Sequence, residues 1–144
     1  MGKALLAFRS RAKIESVTAA LDFVALTHNT ITSREALLAD LEMVRTRGYA
    51  VNDEELSVGL RSVAAPVLDA QGWSMAALNI AVSTTRMSRE ELESRLAPLV
   101  MRTARDIEAA MSFLDEDGRQ DLGRETESPG WGAGKQAKRP VAMN

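Results

Sequence analysis

The stretch LRSVAAPVLDAQGWSMAALNIAVS, Leu60–Ser83, sets the fold of this chain. Leu60 to Leu68 is apolar, rich in valine and long enough for a strand, and Trp73 to Ser83 is a second such run. Between them Asp69-Ala70-Gln71-Gly72 is a strong turn, so the two runs are expected to pair as a β-hairpin. Apolar residues fall on both parities of each strand, which implies cover on both faces. Pro66 has no N–H to give to a ladder and marks the first strand as an edge, or as bulged at that point. The loop leaves two registers open. A two-residue loop at Ala70-Gln71 sets Ser62 opposite Asn79 and Leu60 opposite Ala81, all on one surface. A type I turn with Gly72 in a left-handed bulge shifts pairing by one residue and sets Ser62 opposite Ile80. Asn79 then faces the other way unless a second bulge near Pro66 restores parity. Turn chemistry alone favours this bulged loop.

Outward from the hairpin, Tyr49-Ala50-Val51 is a short strand candidate, and the acidic run Asn52-Asp53-Glu54-Glu55 after it reads as a solvated connection. Ser33 is placed to N-cap a helix with Glu35 in its first turn, and Leu37, Leu38, Leu41 and Val44 line one face. Arg45 and Arg47 fall in the last turn and Gly48 supplies the left-handed position that ends it, so a helix is expected over 34–47. Lys3 to Phe8 is a short helical pattern, Ile14, Val17 and Leu21 recur at helical spacing, and Leu26–Thr32 reads as a loop or short extended segment. On the far side, Ser88 and Glu91 form a capping box. An apolar stripe from Leu92 to Leu114 then predicts a long helix, which Pro98 should kink or split near Ser94. From Asp115 the periodicity fades into a Gly- and Pro-punctuated tail, expected to be disordered over 115–144. The fold class is α+β: an antiparallel sheet with flanking helices, in a domain spanning 1–114.

Composition narrows the function. The chain has 144 residues, 45% hydrophobic and 26% charged, enough for one domain with its own core. Cys is absent, which excludes disulfides, thiolate zinc sites and cysteine nucleophiles. His28 is the single histidine, so a His-rich metal site or a serine-type triad is hard to assemble. No metal, cofactor or enzymatic activity is expected. No apolar run approaches the roughly 20 residues that span a bilayer, and Met1–Phe8 lacks the h-region of a signal peptide, so a cytoplasmic protein is expected. The 18 basic and 20 acidic residues interleave, and the basic Lys135–Arg139 stretch in the tail is read as supporting weak nonspecific anion binding at most, so direct DNA contact by this chain is not expected.

The runs Arg47-Gly48-Tyr49-Ala50-Val51-Asn52-Asp53-Glu54-Glu55 and Gly59-Leu60-Arg61-Ser62-Val63-Ala64-Ala65-Pro66-Val67 closely resemble the effector-binding domain of the IclR family of bacterial transcriptional regulators. The resemblance covers Met1 to about Phe113, with Met1-Gly2-Lys3-Ala4-Leu5-Leu6-Ala7 similar to the helix beside the pocket. Leu78-Asn79-Ile80 together with Arg95-Leu96-Ala97-Pro98 is most similar to regulators of aromatic-acid breakdown through the β-ketoadipate pathway. It implies a GAF-like domain, incomplete at its N-terminal side and without the family's helix-turn-helix, that senses an aromatic or keto carboxylic acid. It also implies a homo-oligomer or a full-length regulator as partner. The alternative is an interaction module that oligomerises with a full-length regulator and binds no effector.

The family's effector-binding positions fall here on Met1, Gly2, Asn52, Leu60, Ser62, Asn79 and Ala81. Backbone N–H groups at Met1 and Gly2 would receive the effector carboxylate. Asn52, where several relatives carry Asp, keeps a hydrogen-bonding amide without the negative charge. The resemblance also favours Ser62 and Asn79 sharing a face. Asp53, Glu54 and Glu55, with Asp69, do not converge by spacing alone and are not read as a metal or catalytic cluster. His28 is expected to make a loop hydrogen bond, and Arg61 to pair with Glu54 or Glu55.

Overall fold

A hairpin does form the centre of the chain, with a third strand on one side and helices on both faces. The computed structural model describes residues 1–121, with side chains through Ser112. In chain order the elements are α1 (Gly2–Ala7), α2 (Arg11–Ala19), α3 (Arg34–Arg47), β1 (Ala50–Asp53), β2 (Leu60–Leu68), β3 (Ser74–Ser83), α4 (Arg89–Glu91) and α5 (Ala97–Asp121). The sheet is antiparallel in the order β1-β2-β3. One face, through Ala50 and Ala64, packs on Ala4, Ala7, Leu37, Leu41 and Val44 of α1 and α3. The other, through Val51, Val63, Ala65 and Val67, packs on Leu92, Ala97, Val100 and Ala104.

The bulged loop is the one adopted. Gly72 sits at φ 81°, its N–H donates to Asp69 O at 2.9 Å, and Asp69 Oδ1 accepts from the N–H groups of Gln71 and Trp73. A second irregularity between Val67 and Leu68 then shifts the register again, so Ser62 pairs with Ala81 and Ala64 with Asn79. Two shifts of one residue restore parity, and Ser62 and Asn79 share a face as diagonal neighbours. Pro66 is tolerated in the central strand because β1 pairs only with Arg61 to Ala64. At Pro66 β3 alone flanks β2, and the missing donor costs no pairing on the β1 side.

The helix ends follow local chemistry. Ser33 accepts from Ala36 N at 3.1 Å, and Gly48 closes α3 at φ 83° against Met101. Ser88 and Glu91 complete the capping box. Pro98 acts as its sequence position suggests. Leu92–Leu96 forms a wide turn in which Ala97 N–H donates to Leu92 O, five residues back. This widening accommodates the proline ring, which would otherwise crowd the carbonyl four residues before it. The helix then continues to Asp121, beyond the boundary expected at Leu114. The remainder of the tail expected over 115–144 lies outside the described residues.

Tyr49, on the approach to β1, ties this wide turn to the sheet. Its hydroxyl donates to Glu93 Oε2 at 2.9 Å, and Arg89 Nε donates to Glu93 Oε1 at 2.7 Å. Burial works to raise the Glu93 pKa, but the hydrogen bonds from Arg89 and Tyr49 outweigh it and hold the carboxyl below its ordinary 4.5. Burial, then the bond to Glu93, pushes the Tyr49 phenol above 10.0. A depressed carboxyl stabilises the fold above its unfolded pKa and loses that contribution as pH falls through the folded value. A raised phenol leaves stability intact below about 10 and erodes it above. Glu93→Gln is therefore expected to cost about 1 kcal/mol at pH 7, a difference from the parent that shrinks as pH falls through the lowered carboxyl pKa. Urea titrations of both proteins over a descending pH series check this.

Candidate functional site

Where α1 begins, a cavity of about 400 Å³ opens between α1, the segment from Leu21 to Ile31, Leu37 of α3, and the end of β1. Its walls are mainly apolar, from Leu21, Phe23, Ile31, Leu37 and Leu56, with Asn52, Thr30, Lys3, Asp22 and Glu55 as the polar groups. That volume lies in the range of small-molecule pockets, about 300–1,000 Å³.

Local chemistry holds the walls in place. Asn52 Oδ1 accepts from Glu55 N at 3.1 Å, which stabilises the turn where Glu54 takes φ 59°. The Asn52 carbonyl is thereby engaged, and its NH₂ is the end left to donate to a ligand. The polar, β-branched segment expected to be a loop is clamped onto this turn. Thr27 Oγ1 donates to Glu54 O and Thr30 Oγ1 to Glu55 O, each at 2.6 Å, and Asn29 Nδ2 donates to Asp53 O. Lys3 Nζ lies 2.9 Å from Asp40 Oδ2 and 2.5 Å from Glu55 Oε1, joining α1, α3 and the turn. Asp40 Oδ2 is buried and receives no hydrogen bond among the described residues, and the Lys3 ammonium at ion-pair distance is its counter-charge. The far end of α1 is fixed as firmly. Ser74 Oγ donates to Leu5 O at 2.6 Å, and Arg45 donates to Ala7 O and Arg9 O.

Of the seven residues singled out in the sequence, Met1, Gly2 and Asn52 line this cavity. Ser62 and Ala81 do not line it, but the register sets Asn52, Ser62 and Ala81 in one row across the three strands. Leu60 and Asn79 lie on the same face in the neighbouring rows, and Leu60, Asn79 and Ala81 are exposed. Two expectations change. Glu55 is not a solvated acid but the partner of Lys3, its side chain 22% exposed. Arg61 pairs with Asp53, directly opposite it in the ladder, at 2.5 Å, rather than with Glu54 or Glu55, and also donates to Met87 O. Among the described residues no three His, Cys, Asp or Glu side chains are grouped to hold a metal, and no helix is long and apolar enough to cross a membrane.

Residues 1–109 match the family model for the bacterial transcriptional regulator IclR C-terminal region. The chain is 38% identical over 107 residues to the Pca regulon regulatory protein of Pseudomonas putida, covering 74% of this chain and 37% of that one. It is 40% identical over 115 residues to the transcriptional regulator KdgR of Escherichia coli, covering 80% of this chain and 43% of KdgR. The crystal structure of the C-terminal domain of that KdgR superposes with a TM-score of 0.70, covering 77% of this chain and 67% of that domain. The inducer-binding domain of PobR from Acinetobacter, a double mutant in complex with 3-hydroxybenzoic acid, superposes with a TM-score of 0.67 at 35% identity, covering 74% of this chain and 61% of that one. This chain spans well under half the length of the curated relatives named here.

Proposed function

The chain belongs to the family of bacterial transcriptional regulator IclR C-terminal domains, and from that premise we propose that it is the small-molecule sensor of a cytoplasmic regulator rather than an enzyme. Its effector is an aromatic or keto carboxylic acid. The observation that carries this reading is the meeting of the Asn52 amide with the start of α1 at a largely apolar cavity. Apolar walls take the body of such an acid, and the free NH₂ of Asn52 donates to its oxygens. The likeness to the PobR domain, which was crystallised with 3-hydroxybenzoic acid, supports the aromatic class.

Calorimetry with 3-hydroxybenzoate, 4-hydroxybenzoate, protocatechuate and a β-ketoadipate-like diacid tests the proposal. Silence across the whole set overturns it. Asn52→Asp is expected to weaken any acid that binds by at least tenfold, because it sets a like charge within hydrogen-bond reach of the carboxylate. A pair of unit charges at 4 Å near a protein surface repels by about 4 kcal/mol before screening. An unchanged dissociation constant in that variant removes Asn52 from the site.

One feature favours a second reading, an oligomerising module. The ten residues of β3 contain no charge and no proline, and its outer edge has no partner strand among the described residues. Such an edge is a template for another chain. Sedimentation of the purified protein over a concentration series distinguishes a monomer from a chain that pairs through this edge.

A further inference from the structure

We propose that the groove between α1 and α2 is a second binding site, for an aliphatic acid of medium chain length whose carboxylate sits at Arg9 and Lys13. The groove holds about 440 Å³, within the range of small-molecule pockets. Its position follows from how α2 is held. Ile14 and Thr18 are buried, and Thr18 Oγ1 donates to Ile14 O and accepts from Arg34 Nε of α3. Lys13 and Val17, one helical turn apart, are left to line the groove, and Leu21 continues their row past the end of α2. Leu5 and Leu6 of α1 and Leu37 of α3 make the rest of the apolar wall. Leu21 is 45% exposed, so a ligand can enter from solvent.

Charge is sorted along this groove. Arg9 lies in the connection between α1 and α2 and Lys13 in the first turn of α2, so both cations stand at the connection end. Lys3, near the start of α1, is committed to Asp40 and Glu55. No acidic side chain lines the groove, and neither Arg9 nor Lys13 has a carboxylate within ion-pair distance among the described residues. The connection itself is held by Arg45, which donates to Ala7 O and Arg9 O, and by Ser10, which accepts from Lys13 N. An apolar trough with free cations at one end selects an amphiphile with one acidic head, and the six residues of α1, about 9 Å of helix, set the chain at medium length. Leu5, Leu6, Arg9, Lys13 and Val17 do not line the cavity at Asn52, so this site does not rest on the effector reading.

Calorimetry on the full chain with butyrate, hexanoate and octanoate, and with 1-octanol and octylamine, tests the inference. Affinity is expected to rise with length, by up to about fourfold per methylene that leaves water, and octanoate should bind at least tenfold tighter than 1-octanol or octylamine. The exposed double variant Arg9→Gln/Lys13→Gln should bring octanoate down to the level of octanol. Val17→Glu, which sets an acid in the wall, should abolish octanoate binding. Both variants should leave 3-hydroxybenzoate binding unchanged, and octanoate should not compete with it. Octanol binding as tightly as octanoate, a preference that survives in the double variant, or competition between octanoate and 3-hydroxybenzoate overturns the inference. Silence of the whole aliphatic series overturns it too, and if Val17→Glu then lowers the sedimentation coefficient, a second copy of the chain covers the groove instead. Octanoate binding without benzoate binding leaves this site standing and removes only the sensor reading.

Discussion

Alanine in place of Leu92 is expected to lower the unfolding free energy by about 3 kcal/mol. Leu92 is the first residue of the wide turn before Pro98 and is fully buried, 0% exposed. It is the largest fully buried member of a core otherwise made of Val51, Val63, Ala65, Val67, Ala97, Val100 and Ala104, with Tyr49, Leu78, Ile80, Met87 and Met101 among the partly buried residues packed against that core. The backbone has little freedom to close the gap, because the turn is pinned by Pro98 after it and by Glu93, bonded to Tyr49, within it. A site that cannot collapse pays for the cavity as well as for the lost methylenes. Against a total stability of about 5–15 kcal/mol this is a large fraction, visible as a drop in the urea midpoint at unchanged slope. Leu99, 53% exposed on α5 just after the wide turn, is the control. Its alanine variant should change the unfolding free energy by less than about 0.5 kcal/mol.

What the sequence made legible follows from how local each signal was. The cap at Ser33, the left-handed Gly48 and the capping box at Ser88 and Glu91 each act within a few residues, and all three are in place. Pro98 likewise acts on the carbonyl four residues before it, and the wide turn lies where that clash falls. The hairpin register was half-local. Gly72 fixed the turn, but the compensating shift at Val67 and Leu68 is set by packing of both sheet faces, so parity could not be read from the loop. The partner of Arg61 depended on ladder register as well. Asp53 stands opposite it only because β1 ends where it does. Asn52, Met1 and Gly2, singled out in the sequence, line the cavity, whereas Lys3 was not singled out, because its partners Asp40 and Glu55 come from two other parts of the chain. Three isolated charges in a sequence carry no sign that they converge.

Lys3→Met is accordingly expected to have an effect out of proportion to one surface-like lysine, about 2–3 kcal/mol of lost stability at pH 7. Methionine keeps most of the apolar stem, so the change removes chiefly the charge. The ammonium lies between two carboxylates whose side chains are 15% and 22% exposed, and it is itself 16% exposed. An exposed pair contributes about 1 kcal/mol or less. Taking one partner from a buried pair costs about 3–5 kcal/mol, because the remaining charge is left without compensation. This triad lies between those limits, nearer the buried one, and two acids rather than one lose their counter-ion. The cost should come from stranded charge and not from lost packing, and a double variant separates these. Lys3→Met/Glu55→Gln keeps the volume and removes one of the two acids, so it should recover at least half of the loss. Equal instability of the single and double variants would assign the effect to packing. Because Lys3 lines both cavities and ties α1 to the turn held by Asn52, the single variant should also weaken 3-hydroxybenzoate binding by severalfold, and the double variant should restore it only in part.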